Sequence, residues 1–180
     1  VALLSKDRVT IRSGNADQSV KLNAAKAFWS PSGKRMALID DKSRLSLLDT
    51  EKLTPVVLSP KASDVRWSPD GSRLMFMKGK ALMMTSDEGT KLISKDVRPG
   101  TATWAPNGER IAYASGNQLI VDNWRQHQSH KIVGGHRITS TDWSPDGSTI
   151  AFEDANGALL TANPNGRNLT QISFVPLTSL

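Results

Sequence analysis

Few residues of this chain could do chemistry, and those few do not form a catalytic set. Among 180 residues there are three histidines, His127, His130 and His136, and no cysteine. His127 and His130 stand three apart, which could suit a metal, but Asp122 is the only acid nearby. There is no Gly-x-Ser-x-Gly, no phosphate-binding glycine-rich loop and no His-Glu-x-x-His. We therefore expect no catalytic residue, no metal, no cofactor and no enzyme activity from this chain alone.

The secondary structure that positions these residues is predicted by a repeated motif, Trp-Ser-Pro-Asp-Gly and its close variants. Four copies occur, and their tryptophans are 38, 37 and 39 residues apart. A fixed period in this range indicates a repeat architecture with one structural unit per period. Proline presets φ for a turn and glycine accepts the positive φ that ends it, so each copy predicts a hairpin turn. The repeated residues are Trp29, Trp67, Trp104 and Trp143, then Pro31, Pro69, Pro106 and Pro145, then Gly33, Gly71, Gly108 and Gly147.

The residues around each turn predict four short antiparallel strands per period, which is one blade of a β-propeller. Large apolar residues recur seven and nine positions after each tryptophan, with mostly small residues between them. The tryptophan at every period is expected to fill the wedge between blades, because a ligand platform would need it in only one or two copies. Asp70 and Asp146 are assigned to turn chemistry, since Ser32 and Asn107 replace them in the other turns.

The period predicts a single all-β propeller domain over residues 1–180, with five blades. Four of the blades span about residues 24–59, 60–96, 97–134 and 135–172. Residues 1–22 supply three strands without a tryptophan turn, and residues 174–178, within the tail 174–180, are a candidate for the missing strand. Pairing of the two termini would close the ring and remove exposed sheet edges. The alternative is that the chain is a section of a larger propeller.

The four turns, each followed by an apolar strand, resemble the TolB-type, WD-repeat-like β-propeller family. The stretch Asn163-Pro-Asn-Gly166 before Leu169-Thr170 resembles that family's turn and Leu-Thr ending. The resemblance covers about residues 24–172, and it implies a bacterial protein-binding module of a periplasmic or extracellular assembly. The same repeat occurs in propellers that gate serine peptidases and in sensor or lectin-like modules. The propeller of a larger peptidase-type enzyme, or a propeller that binds a glycan or small ligand, is therefore the alternative.

The loops before the tryptophan strands are the first candidate binding region. In propellers these loops gather at the mouth of the central channel, and here their sequence differs from blade to blade, as a site for one asymmetric partner requires. They could equally be solvated loops. The candidate residues are Lys26, Asp64, Arg98, His136 and Arg137.

A longer loop, Asn123–His130, is the second candidate and should lie on the opposite face. It holds Trp124, Arg125 and His127, whereas its counterpart is the short Ser86–Gly89. Tryptophan and arginine are enriched at interface hot spots. Trp124 is expected either to contact a protein partner or to fold back onto its own blade.

The net charge of +6 is compatible with nucleic acid, an anionic envelope or an acidic protein. No run of Lys and Arg exceeds two residues, and no basic strip is rich in aromatics, so we expect a solvated basic surface and no nucleic acid. No apolar run approaches the ~20 residues of a membrane span. The expected partner is a protein.

Overall fold

The computed structural model describes residues 1–5, 7–13, 16–126 and 128–173, and all regular structure in them is β. In the described residues five antiparallel sheets follow one another along the sequence, one of three strands and four of four strands. The predicted all-β class and the four-stranded antiparallel blade are confirmed. Residues 174–178, the predicted closing strand, lie outside the described residues. None of the described residues forms a helix long and apolar enough to cross a membrane.

Each sheet is built from consecutive strands that pair with their neighbours in sequence. The first sheet contains β1 (Ala2–Leu4), β2 (Arg8–Ser13) and β3 (Ala16–Lys21). The second contains β4 (Lys26–Trp29), β5 (Arg35–Ile39), β6 (Leu45–Asp49) and β7 (Pro55–Ser59). The third contains β8 (Ser63–Trp67), β9 (Leu74–Lys78), β10 (Ala81–Ser86) and β11 (Gly89–Ser94). The fourth contains β12 (Thr103–Trp104), β13 (Ile111–Ser115), β14 (Gln118–Asn123) and β15 (Gln128–Gly134). The fifth contains β16 (Ile138–Trp143), β17 (Ile150–Asp154), β18 (Leu159–Ala162) and β19 (Thr170–Ser173).

The chain divides into two compact units. The N-terminal unit comprises Val1–Gly79 with Met83–Lys91, and the C-terminal unit comprises Lys80–Leu82 with Leu92–Leu180. The first two sheets lie in the N-terminal unit, and the last two lie in the C-terminal unit.

The two ends of each sheet differ in what they carry. In the second sheet Lys26 pairs with Ile39, Ile39 with Leu45, and Leu45 with Ser59, so these four residues mark one end. We call it the linker end, because it holds the segments that join successive sheets and the turn between the second and third strands. The opposite end, which we call the Trp-turn end, holds the tryptophan turns and the loops between third and fourth strands.

The tryptophan turns are closed by one repeated set of bonds. The Gly71 N–H donates to the Ser68 carbonyl at 2.8 Å, the Ser68 N–H donates to the Arg73 carbonyl at 2.9 Å, and Gly71 has a φ of +68°. Hydrogen bonds from the Ser68 and Ser72 hydroxyls to the Asp70 carboxylate lower the pKa of Asp70 to about 2. Asp70 is thus bonded within its own turn, as turn chemistry requires.

The apolar positions after each turn form the core of the sheets. The residues seven and nine places after the tryptophans are at most 4% exposed: Met36, Leu38, Leu74, Phe76, Ile111, Tyr113, Ile150 and Phe152. Two of the small residues between them lie against the following sheet of their unit: Ala37 shares a buried cluster with Leu74 and Phe76, and Ala112 shares one with Ile150 and Phe152. Alternation therefore buries both faces of β5, β9 and β13, whereas in β17 Ala151 is half-buried and Glu153 is exposed.

The wedge role predicted for the tryptophans holds for two of them. Trp67 packs on the cluster that includes Ala37 of the second sheet and donates its indole N–H to the Phe28 carbonyl at 2.9 Å. Trp143 is 7% exposed, packs with Ala105 and Ala112 of the fourth sheet, and has the Arg110 guanidinium 5.7 Å from its ring centre. Each indole therefore fixes its own sheet to the preceding one.

Trp29 departs from this pattern. Its side chain is 38% exposed, and it lines an open pocket of about 470 Å³ with Ile11, Arg12 and Gln18 of the first sheet. The neighbouring sheet on that side is the three-stranded one. Among the described residues, the packing surface offered to Trp29 is therefore smaller than the one offered to Trp67.

Candidate functional site

An open pocket of about 650 Å³ lies at the linker end of the N-terminal unit. Both residues that the sequence nominates in this region, Lys26 and Asp64, line it. The remaining lining residues are the apolar or small Ala25, Phe28, Ile39, Ala62 and Val65 and the polar Asp40, Asp41, Ser43, Ser63 and Arg66. A concave surface that combines apolar side chains with charges of both signs is suited to recognising a polar partner.

The wall of this pocket is shaped by the turn between β5 and β6. One Asp40 carboxylate oxygen accepts the N–H of Lys42 at 2.9 Å and the N–H of Arg44 at 2.8 Å. The Ala62 N–H then donates to the Ser43 carbonyl at 2.8 Å, which joins this turn to the segment leading into β8. The Asp40 side chain therefore holds the turn in place, and it is not free to act on a ligand.

Two non-glycine residues in the pocket have left-handed backbone. Ser43 has a φ of +66° and Asp64 a φ of +49°. This conformation costs roughly 1–2 kcal/mol for a residue with a Cβ, and such strain concentrates at functional sites. Ser43 has the same place in its turn as Gly157, which has a φ of +77°, so its left-handed backbone belongs to the turn between the second and third strands of the sheet.

Sequence reasoning missed most of the lining residues. Lys26 and Asp64 lie in the tryptophan strands β4 and β8 of the second and third sheets, whereas Asp40, Asp41 and Ser43 belong to the turn between β5 and β6 of the second sheet. The blade topology could have predicted them, because the turn between the second and third strands lies at the same end of the sheet as the segments that join successive sheets. The stretch Asp40-Asp-Lys-Ser43 has a composition that none of the equivalent turns shares.

His136 lies at the linker end of the C-terminal unit and is held by a buried carboxylate. Its Nδ1 is 3.1 Å from Oδ2 of Asp154, which is 6% exposed, and its ring meets Phe152 edge-on at 6.1 Å. The hydrogen bond with His136, followed by the N–H groups of Ala158 and Asn156, lowers the pKa of Asp154. Asp154 was not nominated from the sequence. The pair fixes the turn after β17, so His136 has a framework role here.

Arg98 and Arg137 occupy the same end of the C-terminal unit in different ways. The Arg98 N–H donates to the Ala114 carbonyl at 2.8 Å, and its Nη2 donates to the Gly116 carbonyl at 3.4 Å. Arg137 is exposed, and only its backbone is engaged, as its carbonyl accepts the Ala155 N–H at 2.8 Å. Arg137 is therefore the more available of the two guanidinium groups.

Trp124 folds back onto its own sheet. Its indole N–H donates to the Gly108 carbonyl of the tryptophan turn at 3.0 Å, and the Arg125 guanidinium lies 5.1 Å from its ring centre. Of the two alternatives drawn from the sequence, this geometry matches folding back onto its own blade. Trp124 is half-buried, so part of its ring and the exposed Arg125 still face solvent.

The loop that carries Trp124 is shorter than predicted. Asn123 pairs with Gln128, so β14 and β15 extend into the segment predicted as a loop, and only residues 124–127 connect them. His130 pairs with Val121 inside β15, which corrects its placement in a loop. His127 lies outside the described residues. Within the described part of the chain, no three His, Cys, Asp or Glu side chains are grouped as a metal site would need.

Comparison with protein-family models and with curated proteins finds no match. Solved structures do match. A protein from Agrobacterium tumefaciens assigned as TolB aligns with a TM-score of 0.62 and 21% identity over 83% of this chain. An auxiliary nutrient binding protein from Bacteroides thetaiotaomicron aligns with a TM-score of 0.55 and 13% identity over 82% of this chain. The sheets described above therefore define a TolB-like β-propeller fold.

The chain is shorter than either of these structures. The alignments span 61% of the first protein and 40% of the second. At these identities the likeness defines the fold and does not transfer an activity.

Proposed function

We propose that this chain is a non-catalytic protein-binding module of a bacterial assembly outside the cytoplasm, periplasmic or extracellular. The observation that carries the proposal is the pocket at the linker end of the N-terminal unit. It combines a volume of about 650 Å³ with apolar lining and charges of both signs. The likeness to the TolB-type fold supports a binding role and a location outside the cytoplasm.

The chemistry of the pocket favours binding over catalysis. Its titratable residues are three aspartates, a lysine and an arginine. Asp40 accepts two backbone N–H groups of its own turn, and Asp41 accepts a hydrogen bond from the Asn23 amide at 2.9 Å. Carboxylates engaged in this way position the loop, and none of them is paired with a nucleophile or a base.

Affinity capture with the whole chain tests the proposal. The bait would be exposed to a periplasmic and envelope extract, and the captured proteins would be identified and quantified by mass spectrometry. The test variant is Lys26→Gln with Asp64→Asn, which removes one charge of each sign from the pocket. The matched control is Lys52→Gln with Glu51→Gln, which does the same at the Trp-turn end of the same unit.

The expected result is one protein or a few that the wild type and the control capture and the test variant does not. Capture that both variants retain in full would place binding elsewhere on the molecule. Failure of the wild type to enrich any protein would contradict the proposed function itself.

A small polar ligand is a second candidate for the same pocket. The observation in its favour is the volume of about 650 Å³, which is in the range of small-molecule sites, together with the likeness to a nutrient binding protein. A ligand of this kind would raise the thermal midpoint of the wild type and of the control, but not that of the test variant, in a screen of sugars and nutrients.

A further inference from the structure

The positive charge of the chain is concentrated in one of its two units. The N-terminal unit contains fifteen Lys and Arg against ten Asp and Glu, whereas the C-terminal unit contains eight against seven. The two units are of similar length. The net charge is therefore a local property of the N-terminal unit and not an even coating of the molecule.

Within the N-terminal unit the Trp-turn end is electrically balanced. Its cations are Arg12, Lys34, Arg35, Lys52, Arg73 and Lys91, and its acids are Asp17, Asp49, Glu51, Asp70, Asp87 and Glu88. Four of these cations form ion pairs at the same end: Arg12 with Asp17 at 2.8 Å, Arg35 with Asp87 at 2.7 Å, Arg73 with Asp70 at 3.6 Å and Lys91 with Glu88 at 3.4 Å. The excess positive charge of the unit is therefore not at this end.

The linker end carries the excess. Its described cations are Arg8, Lys21, Lys26, Lys42, Arg44, Lys61 and Lys78, and its described acids are Asp7, Asp40, Asp41 and Asp64. Arg44 pairs with Asp40 at 3.6 Å. The five lysines are exposed, and none of them forms an ion pair with a described acid. An end that holds this many free ammonium groups has a positive potential that attracts anionic partners.

The residues that line the pocket among these cations indicate which class of anionic partner can bind at the linker end. The pocket is lined by the carboxylates of Asp40, Asp41 and Asp64, which would repel the closely spaced phosphates of a nucleic acid or of an anionic membrane. Its apolar lining, which includes Phe28 and Ile39, would accept a nonpolar side chain. An extended peptide can place carboxylates over the lysines and an uncharged apolar side chain in the pocket, and a phosphate polymer, which is charged at every residue, cannot do both.

We propose that the partner presents an acidic segment, with an apolar residue among its carboxylates, to the linker end of the N-terminal unit. This inference rests on the proposed protein-binding function and names the chemistry of the partner. The lysines steer the segment and stabilise it as exposed ion pairs, and the pocket supplies the specificity. The interaction should weaken as salt is raised, because exposed charges are screened over about 8 Å at physiological ionic strength.

A fluorescence anisotropy titration with the whole chain tests the inference. The probe is a labelled peptide of about ten residues, roughly 35 Å when extended, with Glu and Ser alternating around a central Leu. The same peptide with Gln in place of Glu is the uncharged control. A thymidine oligonucleotide of equal charge and phosphatidylglycerol vesicles represent the other two anion classes.

Two double variants locate the binding. Lys42→Gln with Lys61→Gln removes two charges from the linker end, and Lys34→Gln with Lys52→Gln removes two from the Trp-turn end. The first should weaken binding of the Glu peptide by roughly two- to thirtyfold, the range for two exposed ion pairs. The second should change it by less than about twofold, because its charges are more than a Debye length away. All four side chains are exposed, so both variants should fold.

Tight binding of the Glu peptide, none of the Gln peptide, and the larger loss in the linker-end variant would support the inference. It would be overturned by equal losses in the two variants, by preference for the oligonucleotide or the vesicles, or by no binding of the Glu peptide. Affinity capture distinguishes these failures from failure of the proposed function. If a partner is captured through the pocket and stays bound at high salt, the proposed protein-binding function is supported. Only the inference that the partner presents an acidic segment is then contradicted.

Discussion

The two ends of the sheets in the N-terminal unit differ in repetition and in charge pairing. At the Trp-turn end the same residue types return at each period, and most cations meet an acid nearby. At the linker end the sequence changes from sheet to sheet, and the lysines are free of ion pairs with described acids. The difference teaches that repeated residues build the blade, and that in this unit the charged side chains without a described ion-pair partner, such as Lys26 and Lys61, lie where the sequence varies from sheet to sheet.

The tryptophans show that repetition alone does not fix an environment. Trp143 is 7% exposed and packs on a four-stranded sheet, whereas Trp29, at the same place in the repeat, is 38% exposed and faces a sheet to which the described residues contribute three strands. One residue type thus contributes differently to stability according to the sheet beside it.

The largest expected effect comes from removing a buried indole. Trp143→Ala should lower the free energy of unfolding by about 3–5 kcal/mol, the usual range for truncating a buried tryptophan. Denaturant unfolding followed by circular dichroism measures it. Trp29→Ala is the matched control and should cost clearly less, because much of its ring is already in water. Equal losses of unfolding free energy in the two variants would contradict the conclusion that Trp143 is more deeply buried than Trp29.

The next effect concerns the glycine that ends each tryptophan turn. Gly71→Ala and Gly33→Ala both force a Cβ into left-handed backbone, at φ of +68° and +71°, which costs roughly 1–2 kcal/mol. A Cβ at Gly71 would also lie 3.2 Å from Cδ of Pro31, whereas a Cβ at Gly33 meets nothing within 4 Å. Gly71→Ala should therefore have the lower thermal midpoint. The reverse order would show that the turns of the second and third sheets do not pack as described.

A smaller effect should appear in acid. The Ser144 hydroxyl, followed by the N–H and hydroxyl groups of Ser148, lowers the pKa of Asp146 to about 2, as the counterparts of these groups do for Asp70. A carboxyl with a lowered folded pKa adds stability above its usual value of 3.8, and this stability is lost as the pH falls toward 2. The thermal midpoint should therefore fall across this window, and Asp70→Asn with Asp146→Asn should flatten the decline. An unchanged slope in the double variant would contradict the assignment.

The smallest effect should come from the ion pair between Arg35 and Asp87. Asp87 is 83% exposed, so Arg35→Gln should cost less than about 1 kcal/mol, and the loss should shrink as salt is raised. Thermal unfolding at low and high salt checks this, with Lys34→Gln as the neighbouring control. A large loss that does not depend on salt would mean that Arg35 acts through packing and not through its charge.

Much of the fold could be predicted from the sequence, because the signals were local. The Trp-Ser-Pro-Asp-Gly spacing located the turns, and alternation after them located buried residues such as Phe76 and Phe152. Contacts between distant residues could not be read this way. The His136–Asp154 pair spans 18 residues, and the pairing of Asn123 with Gln128 depends on strand extension across a turn.

The candidate site was predicted only in part for the same reason. Lys26 and Asp64 were found because their loops break the repeat, and both line the pocket. The pocket is also lined by Phe28, Ile39 and the aspartates of the β5–β6 turn. These residues come close to Asp64 only because the second and third sheets pack together, which the sequence pattern does not predict. Arg98 and His136 break the repeat as well, but their side chains bond to their own sheets. The prediction that residues 174–178 complete the first sheet stays a prediction.

Site-specific photocrosslinking at the two ends of one sheet tests the central claim most directly. Benzoylphenylalanine would replace Lys61 at the linker end or Lys52 at the Trp-turn end, both of which are exposed, and each protein would be irradiated in the same envelope extract. The account predicts a defined crosslinked protein from position 61 and none above background from position 52. Crosslinks of equal yield from both positions, or from position 52 alone, would contradict it.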